Sequence, residues 1–236
     1  NKWEQVINWY KNLITNTDNV PESIKKEILT LTNGKTDLEK IKIIQEYVLK
    51  NTHYVGIELG INSYKPYDTK DVLERKFGDC KDKANLFNTL MKIINIESNM
   101  VLIRTTHLGN LKDVPANPRY FNHAISYIPS WDLFVDLTAE LNGLNSLPEG
   151  DQNAFVVVVK AGQEPQLIKN ILPKQIIKLN GEKSGNDLVA NIEITQTNHL
   201  GASNRYSFQN KENQKDIIET QFNSIFENFS ISNIKV

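Results

Sequence analysis

Apolar residues in this chain recur first at helical spacing and later in alternation, and that order limits what it can fold into. Trp3, Val6, Ile7, Tyr10 and Leu13 form one helical face. Pro21 opens a second helix with Ile24, Ile28 and Leu31 on one side, and Gly34 stops it. Thr36 and Asp37 cap a third, carrying Leu38, Ile41, Ile44, Val48 and Leu49. Strand-like text follows at Tyr54-Val55-Gly56-Ile57, then a loop marked by Gly60, Asn62, Ser63 and Pro66. Thr69 caps a short helix through Val72 and Leu73, which Gly78 breaks. The next helix runs from about Cys80 to about Ile94. Its stripe of Cys80, Ala84, Phe87, Met91 and Ile94 advances in steps of four, three, four and three. Strands are expected over 100–105, 120–128, 131–137, 155–159 and 166–171.

The texture changes after Pro173. Strands are predicted at 175–179, 187–196 and 204–208, with an amphipathic helix from about Asn213 to Phe226. This gives two domains, 1–172 and a β-rich module over 173–236 that ends inside a strand at Val236. With Asn1 as first residue and no signal peptide, the expectation is an excised or processed piece of a longer protein.

Several function classes fall away. The net charge is −1 and the lysines are interspersed with acids, without aromatic interleaving, which argues against nucleic acid. The longest apolar run, Ala154 to Val159, is strand-sized, so no membrane span is expected. One cysteine allows no intramolecular disulfide. The four histidines and the cysteine lack the short paired spacings of a zinc site, and no glycine motif cradles phosphate; no cofactor is expected.

What remains is the cysteine itself, in Phe77-Gly78-Asp79-Cys80-Lys81-Asp82-Lys83-Ala84. Gly78 permits a sharp entry to the helix and Asp79 is a good cap. A thiol in the first turn sees the positive end of the helix dipole, which favours thiolate. The same backbone N–H groups are suited to stabilise an oxyanion. Lys81 and Lys83, read as exposed, add little. A small buried core residue is the alternative reading of a cysteine on an apolar stripe.

His123 and Asp136 lie in two alternating segments separated by Pro129-Ser130. If that pair is the tip of a tight hairpin, Ile128 opposes Trp131, Tyr127 opposes Asp132, and His123 opposes Asp136. Opposed side chains share a face with Cβ atoms about 4.5–5.5 Å apart, which suits a carboxylate that accepts from an imidazole N–H. Asp136 is then a better orienter than Asp132. Proline at the first loop position fits type I or II turns better than primed ones, and a three-residue loop would put Asp136 on the other face. Cys80, His123 and Asp136 together have the parts of a nucleophile, its base and the group that orients the base. His53, His107 and His199 have no comparable acidic partner.

The blocks Tyr54 to Gly60, Tyr64-Lys65-Pro66, Asp71-Val72-Leu73 and Phe77 to Ala84, followed by Phe121-Asn122-His123-Ala124 and Trp131 to Thr138, resemble the bacterial transglutaminase-like superfamily over about Asp37 to Asp151. The resemblance implies an α+β, papain-like core with a nucleophile helix packed on an antiparallel sheet. It maps a Cys–His–Asp triad onto Cys80, His123 and Asp136. It also implies a peptide or protein amide substrate and a secreted, periplasmic or cell-envelope protein with β-rich domains on both sides of the core. In eukaryotic relatives an aromatic residue upstream of the nucleophile helps hold the oxyanion; Tyr54 stands in the matching region, where a core aromatic at a strand end is the competing reading. Asp79 and Asp82 read as helix-start and packing polar residues, not as catalysts. Two functions stay open: a cysteine acyl-transfer enzyme, peptidase or amidase before cross-linker, and a non-catalytic binding or scaffold module.

Overall fold

The computed structural model describes the chain apart from residues 1, 57, 58, 110, 112, 113, 227–229 and 236. Two compact units divide it: residues 1–140 with 144–171, and residues 141–143 with 172–236.

The first unit mixes helices with an antiparallel sheet. Helices α1 (Trp3–Leu13), α2 (Glu22–Thr32) and α3 (Asp37–Asn51) come first. Thr36 starts α3 through a reciprocal capping box with Glu39. Strand β1 (His53–Tyr54), helix α4 (Thr69–Arg75), strand β2 (Phe77–Gly78) and helix α5 (Cys80–Ile93) follow. β1 and β2 pair in parallel, with Tyr54 beside Gly78. The strand reading at 54–57 extends onto Ile57, which lies outside the described residues. Strands β3 (Asn99–Arg104), β4 (His123–Ile128), β5 (Leu133–Val135), β6 (Phe155–Val158) and β7 (Gln166–Leu167) form one sheet in the order β5-β4-β3-β6-β7. Tyr120, expected to open the strand at 120–128, instead ends a 3₁₀ turn begun by Pro118, and β4 starts at His123.

Alternation along the strands sorts side chains to the two faces of the sheet. Met100, Leu102, Ala124 and Val157 pack with α1 and with Cys80 and Ala84 of α5. Val101, Ile103, Ile125, Val156 and Val158 form the opposite layer, closed by Leu147, Ala154 and Ile168. A third cluster joins α2, α3 and α4 to Leu86, Phe87, Leu90 and Met91 of α5. α5 is thus the central helix, and it is buried nearly all round. Its stripe is in the core as expected, but so are Lys81, Asp82, Lys83 and Asn85. The two lysines read as exposed are 4% and 0% exposed.

Gly78 needs a different explanation from the one its sequence suggests. α4 already ends at Lys76, which adopts the left-handed conformation at φ 58°. Gly78 is not among the positive-φ residues. Instead, a Cβ there would lie 2.7 Å from the Asp82 Cβ. Glycine lets β2 approach the first turn of α5.

The second unit holds the hairpin β8 (Gln175–Ser184) and β9 (Asp187–Gln196), helix α6 (Asn198–Ser207) and helix α7 (Gln214–Asn223). Residues 204–208, predicted as strand, belong to α6 and its end. The helical ladder begun at Asn198 carries through them, and the Phe208 N–H donates to the Asn204 carbonyl at 2.8 Å. Local propensity of Tyr206 and Phe208 is outweighed by that ladder.

Candidate active site

Cys80 is the first residue of α5 and is 6% exposed. Asp79 caps the helix: its carboxylate accepts from the Asp82 N–H at 3.3 Å, and the Asp82 carboxylate accepts in return from the Asp79 N–H at 3.1 Å. Asp82 also accepts from the Tyr67 N–H at 2.8 Å and from Arg75 Nη2 at 2.9 Å. The Arg75 guanidinium lies over the rings of Tyr67 and Phe77, 4.1 and 4.8 Å from their centres. Asp79 is paired with the Lys81 ammonium. Lys83 Nζ donates to the Thr52 carbonyl at 2.9 Å. Burial, opposed by the charges of Glu140 and Asp136, lowers the Lys83 pKa. Burial and the nearby Asp79 charge raise the Asp82 pKa against the hydrogen bonds it accepts. The family-like charged block is therefore a buried polar clamp that fixes where the helix begins and hence where the thiol sits.

His123 is the first residue of β4. Asn122, just before it, pins the chain to β3: its N–H donates to the Ile103 carbonyl, its Oδ1 accepts from the Thr105 N–H, and its Nδ2 donates to Thr105 Oγ1. The hairpin that follows differs from the expected one. Pairing runs Ile128–Leu133, Tyr127–Phe134 and Ser126–Val135, around a four-residue turn with Asp132 in the left-handed region at φ 44°. The partner of Tyr127 has moved by two residues, from Asp132 to Phe134. Because side chains alternate with a period of two, a shift of two keeps His123 and Asp136 on one face. His123 Nε2 lies 3.3 Å from Asp136 Oδ2. The Asp136 Oδ1 accepts from the Thr138 N–H and Oγ1, each at 2.8 Å.

The electrostatics follow from these contacts. Burial disfavours a charged imidazole, but hydrogen bonds and negative charge from Asp136 and Cys80 outweigh it, and the His123 pKa rises well above the ordinary histidine value. Burial likewise opposes ionisation of Asp136, yet His123 and Thr138 hold its carboxyl below the usual carboxylate range. The structure thus brings Cys80, His123 and Asp136 together. Such an arrangement can hold a thiol, accept its proton and stabilise the resulting imidazolium.

A small cleft of about 80 Å³ opens beside the thiol. Tyr10, Tyr64, Leu102, Pro118 and Phe121 give it apolar walls, and Ser63, Lys81 and Asn122 add polar groups. Tyr54 is 48% exposed, so it is not the core aromatic of the competing reading, and it is not among the cleft-lining residues. Tyr10 of α1 lines the cleft together with Cys80; burial, then the Cys80 charge, raises its pKa strongly. Its helical stripe position signals core and gives no hint of the site. Asp151 is a second residue that sequence reasoning missed. His123, Asp136 and Asp151 bring ligand atoms within 4.8 Å of one another, close enough to hold a cation. Asp151 comes from a 3₁₀ turn at Glu149–Asp151, and no sequence spacing ties that turn to His123. Among the described residues no helix is long and apolar enough to cross a membrane.

Comparison with known proteins bears on this arrangement. Residues 23–128 match the family model of the transglutaminase-like superfamily core. That span includes Cys80 and His123 and stops short of Asp136. No curated protein matches the chain. Among solved structures, a putative protease from Parabacteroides distasonis ATCC 8503 is similar with a TM-score of 0.53 and 16% identity, over 71% of this chain and 31% of that one. A putative cysteine protease from Cytophaga hutchinsonii is similar with a TM-score of 0.40 and 14% identity, over 75% of this chain and 50% of that one. The chain therefore spans at most half the length of these two structures.

Proposed function

With residues 23–128 transglutaminase-like, we propose that this chain is a cysteine acyl-transfer enzyme acting on amide bonds, with Cys80 as nucleophile, His123 as base and Asp136 as orienter. The observation that carries this reading is the His123–Asp136 pair at 3.3 Å beside a thiol at a helix start. His123 takes the Cys80 proton, and the thiolate attacks the amide carbonyl. The tetrahedral intermediate collapses to a thioester as the imidazolium gives its proton to the leaving amine. Water, with His123 again as base, releases the acid. N–H groups at the start of α5 are suited to hold the oxyanion, with Tyr54 as a weaker candidate.

Hydrolysis is favoured over cross-linking because water suffices as acceptor, and peptide or protein amides are the proposed substrate class. The names of the two similar structures agree with a peptidase reading. We extend the proposal to the organisation of the chain: 1–172 is the enzyme core and 173–236 a module that follows it.

One observation favours a scaffold that keeps the fold instead. Cys80 is only 6% exposed, packed under α1. Alkylation by iodoacetamide at neutral pH separates the two. An enzyme reacts faster than the denatured chain, and Cys80→Ala loses amide cleavage while staying folded. A rate equal to that of the denatured chain would remove the enzyme reading.

A further inference from the structure

Asp151 is 2% exposed, and its Oδ2 is buried without a hydrogen-bond partner among the described residues. An unpaired buried carboxylate is among the costliest groups a fold can carry. One of its oxygens lies within 4.8 Å of an Asp136 oxygen and of a His123 ring nitrogen. Asp136 already accepts from the Thr138 N–H, Thr138 Oγ1 and His123 Nε2. Two carboxylates held this close inside a protein resist double ionisation, so below the upper of their two titrations one keeps a proton. The donors gathered on Asp136 decide which: Asp136 stays ionised and Asp151 holds the proton.

Asp151 is also held in place. The Gly150 carbonyl accepts from Thr106 Oγ1 at 3.2 Å, and the His107 imidazole fills the space where a Gly150 Cβ would stand, with Nε2 only 2.5 Å from that position. On the other side, Gln152 Nε2 donates to the Leu147 carbonyl at 3.2 Å. Leu147 and Ala154 pack in one layer with Ile103, the β3 partner of His123, and with Ile125, two residues after it. The turn is thus clamped over the pair from both ends.

Resting on the triad reading above, we propose that Asp151 is a positioning residue: a neutral carboxylic acid whose O–H donates to Asp136 and fixes that carboxylate against His123. It gives the orienting acid a fourth donor and leaves Asp151 without an orphaned charge. The surrounding charged groups are Asp136 and His123, Lys83 of α5 acting on Asp136, Glu140 acting on Lys83, His107 against Gly150, and Glu149 in the same turn. Burial and the Asp136 charge push the Asp151 carboxyl up to about 7. As pH rises through that value, Asp151 loses the proton it donates and Asp136 loses its fourth donor, so the pair loosens and thiolate reactivity steps down.

Two measurements on the full chain test this. The ¹³C carboxyl resonance of Asp151, assigned by its loss in Asp151→Asn, is expected to titrate near pH 7; titration in the ordinary carboxylate range overturns the proposal whatever Cys80 does. The same titration after EDTA treatment should be unchanged, and a midpoint that depends on added Zn²⁺ would overturn it in favour of a cation site. The second measurement is the pH profile of Cys80 alkylation by iodoacetamide. Asp151→Asn keeps a donor, so its rate at pH 6 should stay near wild type while the step near pH 7 disappears. Asp151→Leu has no donor and should react about tenfold more slowly at that pH. A wild-type profile in Asp151→Asn overturns the proposal, and Asp151→Asn suffices if the leucine variant does not fold. His123→Ala separates the two levels: if it leaves alkylation unchanged, the triad reading fails, whereas sensitivity to His123 without sensitivity to Asp151 defeats only the present inference.

Discussion

Gly78→Ala tests the packing that holds the nucleophile helix. The added methyl would lie 2.7 Å from Asp82 Cβ, 3.1 Å from its Oδ2 and 3.3 Å from its Cγ. Carbon atoms in contact sit about 3.5–4.0 Å apart, so relief demands roughly 1 Å of separation. Asp82 cannot swing aside: its Cβ is fixed to the helix backbone, and its carboxylate is held by Tyr67, Asp79 and Arg75. Either β2 or the start of α5 must move. Overpacking of this kind costs about 1–3 kcal/mol. With a urea m-value of about 2 kcal/mol/M, the midpoint should fall by about 0.5–1.5 M at unchanged m. Because Cys80 begins the displaced helix, its alkylation rate should fall by up to about 10²-fold. Two other glycines calibrate the result. At Gly150 the obstacle is the tip of the His107 ring, which can rotate, so Gly150→Ala should cost less stability while disturbing Asp151. At Gly143 nothing lies within 4 Å, and Gly143→Ala should be neutral or mildly stabilising. Wild-type midpoint and reactivity in Gly78→Ala would refute the close approach as the reason for glycine.

Three further outcomes are expected. Asp136→Ala should slow Cys80 alkylation by about 10²-fold or more, whereas Asp132→Ala, which breaks an exposed pair with Lys169, should leave it unchanged, as paired rate measurements will show. Asp151 should tilt stability against pH: below about pH 4 folded and unfolded chains both hold its proton, and between there and pH 7 only the folded chain does, so stability falls as pH rises. A rise from 3.8 to about 7 corresponds to about 4 kcal/mol, so urea midpoints of Asp151→Asn should match wild type near pH 3 and exceed it near pH 7.5. Asp82→Ala leaves the Asp79 N–H without its acceptor and Arg75 without its carboxylate, and chemical denaturation should register a loss of about 3–5 kcal/mol.

Helices and strands with a plain periodic stripe were legible in the sequence. The stripe from Cys80 to Ile94 is in the core, and Thr36 caps α3 as its side chain suggests. The Cys–His–Asp set could be chosen because each member lies on a periodic element or at its start. Two kinds of feature were not legible. Lysines read as solvated, so the burial of Lys81 and Lys83 was missed; the Thr52 carbonyl that meets Lys83 is brought in by tertiary folding. Asp151 was missed because it stands in an aperiodic turn whose place over the sheet is set by distant contacts to Thr106 and His107. The hairpin register was wrong by two residues because Pro129 begins a 3₁₀ turn, and a loop of four closes the strands where a loop of two was expected.

That turn carries a consequence for how chains of this kind can vary. The outcome for His123 and Asp136 depends on whether the loop is even or odd in length and hardly on its length as such. Insertions or deletions between Ile128 and Leu133 that come in pairs leave the acid facing the imidazole, while a single-residue indel turns Asp136 away and puts a neighbour in its place. Drift of this loop should therefore proceed in doublets, and a library of loop lengths between those two strands, selected for Cys80 reactivity, should return a comb of even lengths.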